Sequence, residues 1–338
     1  MDLASVWFFL WGLLWAVYFA TGGFDLGAGM LLPFLGKSEE DKAVIANAVG
    51  PLWDGNEVWL LTAGGVTFAA FPTVYAVMFS ALYLPLMLIL FGLIIRGVAF
   101  EFRGKKDSPG WKRTWDACLF VGSLLPALLL GVAFANLFAS VPIDGGGIFH
   151  GTILTLLTPY GLLGGLLFVV LFLLHGSFWL SLRSEGELRD RAFKTGKLLW
   201  PVALFAAACF LLLSYFSTDL FARYFAHPVL LLVPLAAVAA LLMVRVYLKK
   251  ESPGMAWAFS GLTIVLCTFF GVIGMYPNLI ASSLSPDFSL NVTNGSSSPL
   301  TLLIMLGVAA VFVPLVIAYQ AWAYKIFFHP VQKDDMHY

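Results

Sequence analysis

Apolar residues dominate this chain in long runs, each closed by glycine, proline or charge. As helices such runs suffice to cross a hydrocarbon core of about 30 Å. They are Val6–Leu32, Ala43–Ala70, Thr73–Ala99, Trp115–Ala139, Thr152–Leu182, Thr195–Phe216, Pro228–Tyr247, Met255–Ser283 and Leu300–Phe328. The pattern predicts an all-α polytopic membrane protein with nine transmembrane helices. The second and third runs are separated only by Ala70-Phe71-Pro72-Thr73, with apolar sequence on both sides. Pro72 supplies the break, because its ring removes a backbone donor and clashes with the preceding turn.

The second run departs most from hydrocarbon. Gly50-Pro51-Leu52-Trp53-Asp54-Gly55-Asn56-Glu57-Val58-Trp59 sets two carboxylates and an amide between tryptophans. As one helix, Ala43–Ala70 would run about 42 Å at about 1.5 Å per residue, with Asp54 about 17 Å along it, near mid-membrane. A charge there costs roughly 2.5 to 3.5 kcal/mol, so such a carboxylate faces a bundle interior or water and marks an ion or proton path. The other reading is a neutral Asp54 hydrogen-bonded between helices as packing. Glu57, three residues on, shares its face.

Two further stretches carry polar groups at the ends of spans. Thr21-Gly22-Gly23-Phe24-Asp25-Leu26-Gly27-Ala28-Gly29 surrounds Asp25 with glycines, which permit close backbone approach. Asp25 is then either held at a tight helix contact beside the Asp54 segment or solvated at a flexible helix end. Ile95-Arg96-Gly97-Val98-Ala99-Phe100-Glu101-Phe102-Arg103 puts Arg96 within the apolar limit and Glu101 five residues later. Arg96 either snorkels to the interface or pairs with Asp25, Asp54 or Glu101.

Composition agrees with a membrane protein: 60% of residues are hydrophobic and 11% charged. Nineteen basic residues balance nineteen acidic ones, so no basic excess points to nucleic acid. The placement of the basic residues is informative. With the N-terminus outside, every Lys and Arg except Arg223 falls in an inside segment, Lys325 and Lys333 included. This asymmetry predicts an outside N-terminus and a cytoplasmic C-terminus. The loops are too short to fold into a soluble catalytic domain.

Cys118, Cys209 and Cys267 lie within apolar runs and form no CxxC pair, so they read as small packing residues. Of His150, His175, His227, His329 and His337, only His175 lies well within a span. No HxxxH or ExxH pair occurs, and no metal site built by this chain alone is expected.

Several stretches together resemble subunit II of the cytochrome bd-type quinol oxidases. They are Gly23-Phe24-Asp25-Leu26-Gly27, Trp53-Asp54-Gly55-Asn56-Glu57-Val58-Trp59, Arg96-Gly97-Val98-Ala99-Phe100-Glu101-Phe102-Arg103, His175-Gly176 and Met275-Tyr276-Pro277-Asn278-Leu279-Ile280. The tryptophan-flanked motif is specific, and order and spacing hold over most of the chain. Residues 228–248 and 300–328 match only as generic apolar sequence.

The resemblance implies a non-catalytic partner of a haem-bearing subunit I, which holds the b-type haems, haem d and the outer quinol loop. The complex would oxidise quinol and reduce dioxygen to water in a bacterial or archaeal cytoplasmic membrane. Subunit II would form two four-helix bundles, residues 1–139 and 152–283, with a ninth helix and cytoplasmic tail over 300–338. It would contribute a proton path at the subunit interface, with Asp54 first, then Asp25, Arg96 and Glu101, and Glu57 beside Asp54. Gly22 stands where some relatives have a second acid. The resemblance also admits a structural quinone in this subunit and small single-span accessory subunits among its partners, with membrane lipid around them. The alternative is an independent proton-coupled transporter. Transporters show paired broken helices in equivalent halves, whereas the acids here cluster in the first half.

Overall fold

A computed structural model describes residues 2–332; Lys333 and His337 lie outside the described residues. The chain forms α1 Leu3–Leu35, α2 Glu39–Val49, α3 Trp53–Ala70, α4 Pro72–Ala81, α5 Tyr83–Arg103, α6 Pro109–Ala139 and α7 Ile153–Leu156. There follow α8 Pro159–Arg183, α9 Gly186–Ser217, α10 Leu220–Ala226, α11 Leu232–Lys249, α12 Pro253–Met275 and α13 Pro299–Phe327. Strands β1 Asn278–Ile280 and β2 Leu290–Asn291 pair antiparallel between α12 and α13.

Eight helices among the described residues are long and apolar enough to cross a membrane: α1, α5, α6, α8, α9, α11 with the turn before it, α12 and α13. The expected second span, Ala43–Ala70, is not one helix. α2 opens on a capping box in which Ser38 Oγ accepts from Asp41 N at 3.0 Å and Asp41 Oδ2 accepts from Ser38 N at 3.2 Å. It stops at Val49, because Pro51 has no N–H with which to continue the ladder. The chain tightens through Leu52 N to Val49 O at 2.9 Å, and α3 restarts at Trp53. Asp54 therefore stands in the first turn of a helix, not some 17 Å into one.

Proline accounts for the other differences in span limits. The third run bends at Leu82, since Pro85 cannot donate to the carbonyl of Ala81. The fifth begins as the separate turn α7, and Pro159 restarts it under a cap in which Thr158 Oγ1 accepts from Gly161 N at 2.9 Å. The eighth ends at Met275, ahead of Pro277, and the chain leaves as β1. The sixth instead begins earlier than its apolar run, at Gly186, so Arg189, Arg191 and Lys194 lie on its first turns.

α1 is the centre of the assembly and packs on α3, α6, α8 and α12; α5 lies on α6, α9 on α8, and α11 on α12. Lipid is as apolar as leucine, so close fit and hydrogen bonds hold these helices together. Gly27 and Gly176 meet backbone to backbone: a Cβ on Gly27 would strike the carbonyl of Phe172. Toward the other end of α1, buried Trp11, Trp15 and Phe19 surround Phe134 of α6, with ring centroids between 4.9 and 6.3 Å from it. Trp11 Nε1 donates to Thr67 Oγ1 of α3 at 2.9 Å, and Trp7 Nε1 donates to Leu302 O of α13 at 2.9 Å.

The two ends of α3 are marked by their neighbours. Ala70 O accepts from Ser297 N at 2.8 Å, in the loop beyond β2. At the opposite end α2 is tied to the basic end of α5: Arg103 donates from Nη2 to Glu39 at 2.9 Å and from Nε to Asp116 at 2.6 Å. Lys42 closes this cluster on Asp116 at 2.9 Å. The hydrogen bond to Asp116 is the main cause that holds its ammonium above the usual lysine range.

Candidate functional site

Asp25 is the most deeply enclosed carboxylate of the set, at 1% exposure. It lies six residues past the middle of α1, about 9 Å toward the basic end. The glycines around it let α8 close on the other side of the helix, while α3 supplies its partner. Asn56 Nδ2 donates to Asp25 Oδ2 at 2.6 Å, and Tyr324 of α13 donates to Asn56 Oδ1 at 2.7 Å. The second carboxylate oxygen, Oδ1, is buried without a hydrogen-bond partner among the described residues. A single amide thus joins an acid on α1 to a phenol on α13.

One residue further along α3, Glu57 accepts from Arg96 Nη1 at 3.1 Å. Arg96 is fully buried, and its guanidinium lies over the rings of Phe100 and Trp53 at 5.1 and 5.8 Å. Its Nε and Nη2 have no hydrogen-bond partner among the described residues. Arg96 therefore does not snorkel; two aromatic faces and one carboxylate hold it in place.

Asp54 is exposed on the outer face of α3 and makes no ion pair among the described residues. Its exposure on this face continues along Val58, Leu61, Gly65 and Phe68, an otherwise apolar stripe at helical spacing. Glu101 is likewise exposed at the basic end of α5. The structure thus brings Asp25, Glu57 and Arg96 into one buried region with Asp54 at its edge, and leaves Glu101 separate on the surface.

Sequence reasoning missed Asn56 as the partner of Asp25, and missed the contribution of α13 altogether. α13 is exposed over nearly its whole length, yet Gln320 and Tyr324 pin it to α3. Trp59 Nε1 donates to Gln320 Oε1 at 2.7 Å, and Gln320 Nε2 donates to Gly55 O at 2.6 Å. A signal was available: Gln320 is the only amide in the apolar run of α13, and Tyr324 lies one turn away on the same face. A cavity of about 120 Å³ lies against Tyr324, lined also by Thr21, Phe24, His175 and Trp257.

His175 occupies the α8 side of α1. Its Nδ1 pairs with Ser260 Oγ at 2.7 Å and its Nε2 with Ala20 O at 3.1 Å, while the ring stacks on Trp257. Both nitrogens are engaged, so the ring is held as a packing element and not presented to a metal. Among the described residues no three His, Cys, Asp or Glu side chains form a group that could hold a metal ion.

Comparison with known proteins assigns this arrangement a lineage. Residues 3–327 match the family described as cytochrome bd terminal oxidase subunit II. The chain is 38% identical to cytochrome bd ubiquinol oxidase subunit 2 of Bacillus subtilis over 340 aligned positions, covering 100% of this chain and 99% of that one. It is 33% identical to cytochrome bd-I ubiquinol oxidase subunit 2 of Escherichia coli K12, covering 99% and 96%. In fold it is similar to a chain of the bd oxidase structure from Geobacillus thermodenitrificans, with a TM-score of 0.80 over 97% of this chain and 99% of that one at 15% identity. None of these relatives is named as a transporter.

Proposed function

The chain belongs to the cytochrome bd terminal oxidase subunit II family, and we propose that it scaffolds a haem-bearing subunit I and supplies part of its proton path from the cytoplasm. It is one subunit of a multi-pass membrane oxidoreductase complex. Haem b and haem d reside in the partner, where quinol is oxidised and dioxygen reduced. His175, with both ring nitrogens engaged, supports a haem-free role for this chain. Membrane lipid, a structural quinone in this subunit and small single-span accessory subunits complete the proposed assembly.

The observation that carries the reading is the half-partnered carboxyl of Asp25. Reduction of dioxygen to water consumes protons, and a hydrocarbon core supplies none, so a buried centre needs a series of protonatable groups. Asp54, on the exposed face of α3, is the group that meets subunit I. Glu57 and Arg96 lie behind it, and Asp25 takes or releases a proton at Oδ1, away from the Asn56 bond. Glu101 gathers protons at the cytoplasmic surface.

In this reading α3 is the ninth crossing. It spans about 27 Å, and its two ends adjoin loops at opposite ends of the molecule, which supports a full traverse despite its polar first turn. The two four-helix bundles are then α1, α3, α5 and α6, against α8, α9, α11 and α12, with α13 as the additional helix. The N-terminus lies outside the cytoplasmic membrane of a bacterial or archaeal cell and the C-terminus inside.

Copurification in mild detergent tests the assignment. A larger membrane subunit should accompany this chain and bring a visible haem spectrum, whereas stoichiometric haem on the isolated chain would contradict it. Reporter fusions at Gly146 and Gly295 should read outside, and fusions at Ser108 and Ser252 inside.

A further inference from the structure

The geometry points to a binding site for the phosphate of an anionic phospholipid in the recess where α8, α9 and α12 meet. This recess, about 670 Å³, is lined by Ser181, Arg189, Lys194 and Lys197 together with Asp190, Glu251 and Pro253. Three cations stand against two acids. Arg189 and Lys194 make no ion pair among the described residues, and Lys197 reaches Glu251 only at 3.4 Å while lying over the ring of Phe193 at 4.8 Å.

Ser181 is the decisive residue. Serines in an apolar helix ordinarily return their hydroxyl to a carbonyl of the preceding turn. Ser177 of the same helix and Ser184 at its C-terminal cap do so, to Leu174 at 2.7 Å and Leu180 at 2.6 Å. Ser181 is 2% exposed, yet its Oγ has no hydrogen-bond partner among the described residues. A buried hydroxyl left without a partner costs about 1 to 3 kcal/mol. An oxygen-rich anion seated inside the recess that Ser181 lines would give it an acceptor. α12 begins at Pro253 with no side-chain cap from Ser252, so the positive end of a long helix also faces the recess.

The sequence beyond the recess distinguishes a lipid from a free anion. From Lys194 the outward face of α9 continues through Leu198, Val202, Phe205 and Leu212, at 65%, 48%, 71% and 61% exposure. These positions follow helical spacing, so a headgroup held at Lys194 has its acyl chains laid along one apolar stripe. Basic recesses between membrane helices suit such headgroups. Assignment to the inner leaflet rests on the proposed topology; the site itself does not.

Native mass spectrometry of the purified whole complex tests this, with phosphatidylglycerol titrated against phosphatidylcholine of the same acyl chains and inorganic phosphate added as competitor. The complex should retain phosphatidylglycerol preferentially. Arg189→Gln with Lys194→Gln should weaken that retention by about tenfold or more. Ser181→Ala should weaken it several-fold, and the charge-preserving pair Arg189→Lys with Lys194→Arg should keep it. Should the double Gln variant fail to assemble, Ser181→Ala carries the test alone. Unchanged retention in the double Gln variant, or in Ser181→Ala where that stands alone, would overturn the site. Release of the lipid by millimolar inorganic phosphate would overturn its assignment to phospholipid.

Discussion

Asn56 Nδ2 meets Asp25 Oδ2 at 2.6 Å across the contact of α1 and α3, and Tyr324 occupies the other end of the same amide at 2.7 Å. The geometry fixes the direction of both bonds, because a phenol donates to the amide oxygen and the amide nitrogen donates to the carboxylate. Protonation of Asp25 then falls on Oδ1 and leaves the amide undisturbed. Asn56→Ala would orphan both the carboxylate and the phenol, at about 1 to 3 kcal/mol. The melting temperature of the complex should fall, with α13 loosened, while the haem spectrum persists in the molecules that assemble.

The pair formed by Glu57 and Arg96 should respond differently. Removing one member of a buried pair leaves the other charge uncompensated, a loss of about 3 to 5 kcal/mol when both are enclosed. Glu57 keeps 21% of its side chain exposed, so Glu57→Gln should fall toward the lower end and still reduce assembled yield. Adding Arg96→Met should recover yield without restoring turnover. Arg96→Lys should not substitute for arginine, because an ammonium lacks the planar, delocalised face that rests against Trp53 and Phe100.

Helix contacts made through glycine backbone should be the least tolerant. Gly27→Ala or Gly176→Ala places a Cβ against the opposing backbone, so α1 and α8 must separate. Each should lower the yield of folded complex severalfold in a detergent-solubilised expression trial. Gly110→Ala, away from that contact and with nothing within 4 Å of the added Cβ, should express normally.

The contrast between Asp25 and Asp54 shows how far the sequence is legible. Nine apolar runs read as spans, and eight helices among the described residues meet the length and apolarity of a crossing, because hydrocarbon length is a property of composition. Depth along a span is not such a property. Pro51 interrupts the second run, and that one missing donor moves Asp54 from mid-helix to a first turn while Asp25 takes the buried position. The glycines around Asp25 suggested a close contact, but which amide would face it depends on the rotation of α3. Gln320 and Tyr324 mark a polar face on α13, but its link to α3 spans 268 residues and no local pattern names the partner.

The loop between α6 and α7 carries its own pH dependence. Asp144 accepts from His150 at 2.7 Å and from the amides of Gly146 and Ile148 at 2.9 and 3.0 Å. The His150 bond, followed by these amides, holds its carboxyl below the usual aspartate range. A lowered pKa means that this stabilisation is present above the unfolded value of 3.8 and is lost as pH falls through the lower folded value. Exchange of the Gly146 and Ile148 amides, corrected for intrinsic rate, should stay protected at pH 5 and lose protection only as the pH falls through the folded value, which lies below 3.8. Asp144→Asn should remove the step.

Oxygen consumption by assembled complexes in which Asp25 or Asp54 is replaced by asparagine tests the proton path most directly. Asparagine keeps the shape and the hydrogen-bonding capacity of each site but cannot carry a proton. Both variants should assemble with an unaltered haem spectrum and normal quinol access, and turnover should slow by roughly tenfold or more, as expected on losing a positioned proton-transfer group. Full oxygen consumption by assembled Asp25→Asn and Asp54→Asn complexes would contradict the account and make both acids packing groups.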